Sequence, residues 1–266
     1  AVESTFDGPM VAILLKSSTT SAELELEKTE EDNTGVMEDF SISVPLIAEG
    51  LRSNSSLRLL RIFAPSNVQD ADIATLVQRG AGHPSREELV VGSGYNWRNT
   101  ACREKTLHAI CSVLESNCQV RSVNLSNSPL SVGGGDPQDM SLKESVIAAF
   151  CGNSTLERLE IANLTNLEGP DILAAFLIGC ASASKLKYLD ISANRLDEDA
   201  MAALAGMVGT HTTLKEVWAK SLDLVSTDLS GLIVSLEENA TLKLLDISGN
   251  QFGSTPLLSR LASALT

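Results

Sequence analysis

Histidines, cysteines, glycine runs and clustered carboxylates are the features of this chain that could do chemistry. The three histidines, His83, His108 and His211, are scattered, and none lies four residues from another. No pair therefore shares a helix face as a metal site would require. No serine or cysteine has a recognisable nucleophile context. The five cysteines, Cys102, Cys111, Cys118, Cys151 and Cys180, are an odd set without C-x-x-C spacing. They read as reduced, buried thiols of a cytosolic protein. Gly133-Gly-Gly135 invites a phosphate-cradle reading, but it lacks the Lys-Ser/Thr of a phosphate loop and the spaced glycines of a dinucleotide turn. It reads as a flexible insertion. Glu23, Glu25, Glu27, Glu30, Glu31 and Asp32 form an acidic run. Alternate residues of a strand share a face, and like charges so arranged face water; their other role would be an acidic patch for a basic partner. The expectation is a non-enzyme, with no catalytic residue, metal or cofactor.

What positions the remaining side chains is a repeated phrase. It is clearest as Leu186-x-x-Leu189-x-Ile191-x-x-Asn194 and Leu242-x-x-Leu245-x-Ile247-x-x-Asn250. Weaker copies register on the fourth phrase position, the inward apolar residue of a short strand, at Leu24, Leu60, Leu89, Val123, Leu159, Leu189, Val217 and Leu245. Their spacings of 36, 29, 34, 36, 30, 28 and 28 residues fit one strand plus one helix per unit. Asp199-Ala-Met-Ala-Ala-Leu-Ala-Gly-Met-Val208 and Leu229-Ser-Gly-Leu-Ile-Val-Ser-Leu236 repeat apolar residues at three and four, which predicts helices with one buried face. Parallel strands need a crossover of a dozen or more residues, and such helices supply it. The fold class is α/β: a right-handed leucine-rich-repeat horseshoe of about eight repeats, with strands on the concave face and helices on the convex face.

The turn leaving each helix has its own mark: Asn54-Ser-Ser-Leu57, Asn153-Ser-Thr-Leu156, His211-Thr-Thr-Leu214 and Asn239-Ala-Thr-Leu242. Asparagine tolerates the left-handed backbone that ends a helix. Asn54, Asn124, Asn153, Asn163 and Asn239 also satisfy the glycosylation pattern, but three of them recur at helix exits, so the reading is structural.

With 266 residues, 43% of them hydrophobic and only 4% aromatic, the chain can bury a long aliphatic core as one continuous solenoid. Residues 1–266 are expected as one segment of a longer array. Residues 1–20 would hold the helix of a preceding partial repeat, around Met10-Val-Ala-Ile-Leu-Leu15, and 256–266 the helix of a truncated last one. No long apolar run and no charged-then-apolar leader predicts a span or a secretory signal. A formal charge of -14 disfavours nucleic acid and direct binding to an anionic membrane.

Full helices between the strands make the array resemble the ribonuclease-inhibitor-like class of leucine-rich repeats. That class includes ribonuclease inhibitor, the Ran GTPase-activating protein, NOD-like receptors and the CARMIL regulators of actin capping protein. The resemblance covers roughly residues 10 to 266. Within the class, the run from Thr227 to Asn250 and the irregular repeat lengths look most like CARMIL. This likeness implies a cytoplasmic scaffold in actin regulation, with capping-protein binding carried by a separate disordered segment. No site residue carries over from it. The other members imply the alternatives, a GTPase-activating protein or the sensor and autoinhibitory array of a NOD-like receptor. One departure from the pattern is that the ninth phrase position is asparagine only at Asn194 and Asn250. Thr29, Pro65, Gly94, Ser128, Leu164 and Leu222 occupy it elsewhere, so the asparagine ladder is incomplete.

Alternation along each strand sends phrase positions three, five and seven onto the concave face. Position five reads Glu25, Arg61, Val90, Asn124, Glu160, Asp190, Trp218 and Asp246; position three reads Glu23, Leu59, Glu88, Ser122, Arg158, Tyr188, Glu216 and Leu244. Trp218 stands beside Tyr188 and Asp190 on one side and Leu244 and Asp246 on the other, with Lys187, Lys215, Lys220 and Lys243 expected around it. An aromatic anchor with a charged rim is the composition of an interface hot spot. The competing reading is a ring lying flat to shield the strands. Tyr95 and Trp97 in the loop after the third strand are either anchors or packing beneath an insertion. Arg58, Arg61, Arg121 and Arg158 are interleaved with Glu87, Glu88, Glu157 and Glu160, which predicts mutual neutralisation. The expected partner is another protein, and the open ends of the array allow a homodimer.

Overall fold

Each repeat contributes one short strand whose central residue is apolar. The computed structural model describes residues 21–25, 44–63, 68–91, 104–116, 119–128, 140–164, 172–225, 229–252, 259–261 and 263. The strands are β1 (Ser21–Glu25), β2 (Leu59–Phe63), β3 (Glu88–Val91), β4 (Ser122–Asn124), β5 (Arg158–Glu160), β6 (Tyr188–Asp190), β7 (Glu216–Trp218) and β8 (Leu244–Asp246). They form a single eight-stranded sheet in chain order, and every neighbouring pair is parallel. Between them run α1 (Val44–Ser53), α2 (Asp70–Ala81), α3 (Glu104–Ser116), α4 (Met140–Gly152), α5 (Ile172–Ala181), α6 (Glu198–Thr210) and α7 (Leu229–Glu238), each packed on the next. Packed helices sit about 8–10 Å apart and paired strands about 4.8 Å apart. The helix layer is therefore the longer arc, and the sheet lines the inside of the curve.

The core lies between the two layers. Leu60, Leu89, Val123, Leu159, Leu189 and Val217, all at the fourth phrase position, are at most 1% exposed, as are Ile62, Val91, Leu125, Ile161, Ile191 and Ala219 two residues on. Leu245 in β8, the last strand among the described residues, and Ile247 just after it are half-buried. Helix α5 is apolar nearly all round because it is enclosed by α4, α6 and the sheet. Gly179 lets it approach α4: a Cβ there would come within 2.9 Å of Phe150 Cβ and 3.1 Å of the Ile147 carbonyl.

Three expectations need correction. In β1 the residue opposite Leu60 is Ala22, not Leu24, which instead faces Ile62. Leu24 thus takes the sixth phrase position, and Glu23 rather than Glu25 stands opposite Arg61.

The helix-exit asparagines are not left-handed. Among the described non-glycine residues, positive φ is found at Asn127, Asn163, Ala193, Ser221 and Asp223, all in turns after strands. Asn153 acts through its side chain instead: Oδ1 accepts from the Thr155 and Leu156 amides at 2.9 and 2.7 Å, and Nδ2 donates to the Leu114 carbonyl of the preceding helix at 3.0 Å. Asn239 repeats this with Thr241, Leu242 and Val208, and Asn54 accepts from Ser56 and Leu57. One amide side chain thus closes a turn and ties it to the neighbouring repeat.

Cys151 is exposed, whereas Cys111 and Cys180 are buried. Burial pushes the Cys111 thiol up to about 12 and that of Cys180 up as well, so both are inert at neutral pH. Residues 1–20, Glu27 to Asp32, Tyr95, Trp97, Cys102, Cys118 and Gly133 to Gly135 lie outside the described residues. Of the expected last helix, 259–261 and 263 are described and helical. No helix among the described residues is long and apolar enough to cross a membrane.

Candidate interaction surface

The outward positions of β5 to β8 form two straight rows. Arg158, Tyr188, Glu216 and Leu244 face one another across successive strands, as do Glu160, Asp190, Trp218 and Asp246. The strands hold them rigidly because the intervening residues, Leu159, Leu189 and Val217, are 0% exposed in the core.

Within this grid Tyr188 and Trp218 lie on a diagonal with ring centroids 6.5 Å apart and planes tilted by 36°. Each ring carries a cation. The Arg158 guanidinium carbon is 3.5 Å from the Tyr188 centroid, and Lys220 Nζ is 4.2 Å from that of Trp218. Each cation also holds a carboxylate: Arg158 Nε donates to Glu160 Oε1 at 2.6 Å, and Lys220 Nζ lies 3.1 Å from Asp246 Oδ2. Asn124 Nδ2 donates to the other Glu160 oxygen at 2.9 Å, extending the network to β4. Cation, ring and carboxylate therefore alternate across four strands.

Turn chemistry fixes two of the acids. The Ser192 amide donates to Asp190 Oδ1 at 2.9 Å, and the Ser248 amide donates to Asp246 Oδ1 at 3.0 Å. Ser248, and after it Lys220, hold the Asp246 carboxyl below the usual carboxylate range. Tyr188 is shifted upward by burial and then by Asp190, with Arg158 opposing. It stays a neutral phenol. Trp218 is half-buried, and its Nε1 is sealed from solvent without a hydrogen-bond partner.

Lys220 is the one expected lysine found over the ring. Lys187 Nζ instead binds Glu157 Oε2 at 2.7 Å, Lys215 Nζ reaches the Thr241 carbonyl at 3.3 Å, and Lys243 is exposed beside β8. These three hold the second phrase position, one residue before each strand, so their side chains follow the sheet's leading edge. Arg58–Glu87 at 2.7 Å and Arg121–Glu157 at 4.0 Å continue that edge as charge pairs. Sequence reasoning missed Arg158 as the cap of Tyr188. The signal was present, since both stand at the third phrase position of adjacent units.

No group of three or more metal-binding side chains occurs among the described residues. The arrangement can bind by stacking, charge and shape.

No protein-family model matches the chain. Over 247 residues, 91% of its length, the chain is 27% identical to Protein CARMIL of Dictyostelium discoideum, of which the match covers 21%. It is 28% identical over 145 residues, 54% of its length, to ribonuclease inhibitor of Sus scrofa, of which 30% is covered. The chain thus spans about a fifth of the first relative and under a third of the second. Among solved structures, the C-terminal domain of Caenorhabditis elegans tropomodulin superposes with a TM-score of 0.44 at 13% identity, over 62% of this chain and 90% of that one. Leiomodin-1 actin-binding site 2 gives 0.43 at 12% identity, over 65% and 91%.

Proposed function

For a chain that is a ribonuclease-inhibitor-like leucine-rich-repeat solenoid, we propose the role of a non-catalytic protein-interaction scaffold that binds through the concave face of β5 to β8. The observation that carries this reading is the Tyr188–Trp218 pair, two aromatic side chains on the solvent side of the sheet in a chain with 4% aromatic residues. Aromatic anchors with charged surroundings dominate the energetics of protein interfaces. The rigid sheet lowers the entropic cost of binding, because the patch is held in place before a partner arrives.

The similarity to CARMIL supports a cytoplasmic place in actin regulation, with the solenoid positioning a cytoskeletal partner. Solenoid ends that pair would make a homodimer and double the patch.

The test compares affinity for the partner captured from cytosol by the wild-type chain and by Trp218→Ala. Loss of a hot-spot side chain costs about 2 kcal/mol or more, a weakening of about 30-fold. Unchanged affinity would move the site off this face. Partners without cytoskeletal function would remove the actin reading and leave the scaffold.

A further inference from the structure

We infer that the square of Tyr188, Asp190, Glu216 and Trp218 receives a positively charged side chain, an arginine or lysine presented by an extended segment of a partner protein. This rests on the interaction reading above and specifies the partner's chemistry.

The register makes the square. Tyr188 faces Glu216 and Asp190 faces Trp218 across β6 and β7, so the rings occupy one diagonal and the carboxylates the other. Diagonal neighbours on a sheet face lie about 7–8 Å apart, close enough for two carboxylates to converge on one cation from opposite sides.

Charge then separates this square from its surroundings. Glu160 is held by Arg158 and Asn124, and Asp246 by Lys220. Asp190 takes only the Ser192 amide, and neither Asp190 nor Glu216 has an ion-pair partner among the described residues. Four carboxylates and two cations on the patch leave two negative charges, both in the square. A guanidinium with five N–H donors can serve two carboxylates at once, and charge-assisted bonds of this kind are about twice as strong as neutral ones.

The rings complete the receptor. Both already bind intramolecular cations on a face, which shows that their positions suit cation–π contact. Leu244, 36% exposed, faces Glu216 on β8 and offers an apolar contact for the residue that follows the cation. An anionic ligand would meet two unneutralised carboxylates, which excludes phosphate chemistry here.

The test uses the whole chain and a fluorescein-labelled twelve-residue peptide of alternating arginine and glycine, read by fluorescence anisotropy at physiological salt. Its counterpart carries citrulline, the neutral isostere, at every arginine. The arginine peptide should bind at least tenfold more tightly than the citrulline peptide. The double substitution Asp190→Asn with Glu216→Gln should weaken it at least tenfold; Asn keeps an acceptor for the Ser192 amide, so the turn is retained. Glu198→Gln with Asp199→Asn, which removes the same charge from the exposed start of α6, should leave binding within twofold. Equal losses in the two double variants would reduce the effect to bulk charge and overturn the inference. So would no difference between the peptides. If capture of the cellular partner depends on Trp218 while the arginine peptide does not bind, the scaffold stands and the cation receptor falls.

Discussion

Arg158 stacks on Tyr188, its guanidinium carbon 3.5 Å from the ring centroid, while its Nε holds Glu160 at 2.6 Å. Neighbours in space and 30 residues apart in sequence, the two lock adjacent strands on the solvent side, where the core cannot. An exposed cation–π contact contributes about 0.5–1 kcal/mol. Arg158→Ala should lower unfolding stability by about that amount. Arg158→Lys should recover less than half of it, because an ammonium cannot stack as a plane and hold a carboxylate together. Urea midpoints of the three proteins check this; equal midpoints for Arg158→Lys and wild type would show that charge alone matters.

Among the described residues Arg86 is the largest fully buried side chain, standing where the repeats of β2 and of β4 to β8 place leucine or valine at the first phrase position. Its Nε donates to the Gly80 carbonyl at 2.9 Å, Nη1 to Asn54 at 3.0 Å and to Leu57, and Nη2 to Leu51 at 2.5 Å. One fork thus satisfies carbonyls at the ends of α1 and α2 that would otherwise be orphaned. Burial lowers its proton affinity to about 10, still far above neutrality, so it remains charged. Each buried carbonyl left unpaired costs about 1–3 kcal/mol. Arg86→Leu, although it restores the repeat consensus, should destabilise by about 3 kcal/mol or more. A stable Arg86→Leu protein in equilibrium urea unfolding would refute the clamp.

Part of this arrangement is legible in the sequence and part is not. The strand rows from β5 to β8 were legible because the core demands an apolar residue at the fourth phrase position of every unit, and that pins which residues face out. In β1 the same rule misled, since Leu24 fits the phrase as well at the sixth position, and Ala22 fills the fourth with no mark of its own. Lys187 was misplaced because adjacency to Tyr188 in sequence says nothing about which side of the strand edge it follows. Arg86 was invisible, as its partners lie up to 35 residues earlier and all but the Ser85 hydroxyl are backbone carbonyls. The asparagine exits were found but for the wrong reason: the amide side chain, not a left-handed φ, is what the position requires.

His211 does at its helix exit what Asn153 and Asn239 do at theirs. Its Nδ1 accepts from the Thr213 and Leu214 amides at 3.3 and 3.1 Å, which requires an unprotonated Nδ1. Burial holds the imidazole below its usual range, opposed by the nearby Ala183 and Cys180 carbonyls. The unfolded chain therefore binds the proton more readily than the native state. This site's full stability is present above the unfolded value of about 6.5 and declines as pH falls from there toward the lower folded value. His211→Asn should abolish this part of the acid sensitivity. Unfolding free energies of both proteins between pH 8 and about 5 measure it; parallel curves would exclude His211 as the group responsible.

Ala193 occupies a turn position that Asn127, Asn163 and Gly249 fill with residues suited to it, whereas Ser221 at φ 50° shares the alanine's burden. The φ of Ala193 is 56°, beside 61° at Asn127 and 53° at Asn163 in the equivalent turns of earlier repeats and 74° at Gly249 in a later one. A left-handed backbone costs an alanine about 1–2 kcal/mol, and asparagine less. The turn cannot relax, because the Ala193 amide donates to the Lys220 carbonyl at 2.8 Å, one rung in a ladder that Asn127 and Asn163 continue at 2.8 Å. The side chain is exposed, so a larger one fits. Asn163 Nδ2 already donates to Asn127 Oδ1 at 2.8 Å, and an asparagine one turn further could extend that row. Ala193→Asn should therefore raise stability by about 0.5–1 kcal/mol. The urea midpoint should rise with an unchanged slope, since the surface exposed on unfolding hardly differs. An unchanged or lower midpoint would show that Ala193 carries no strain to relieve.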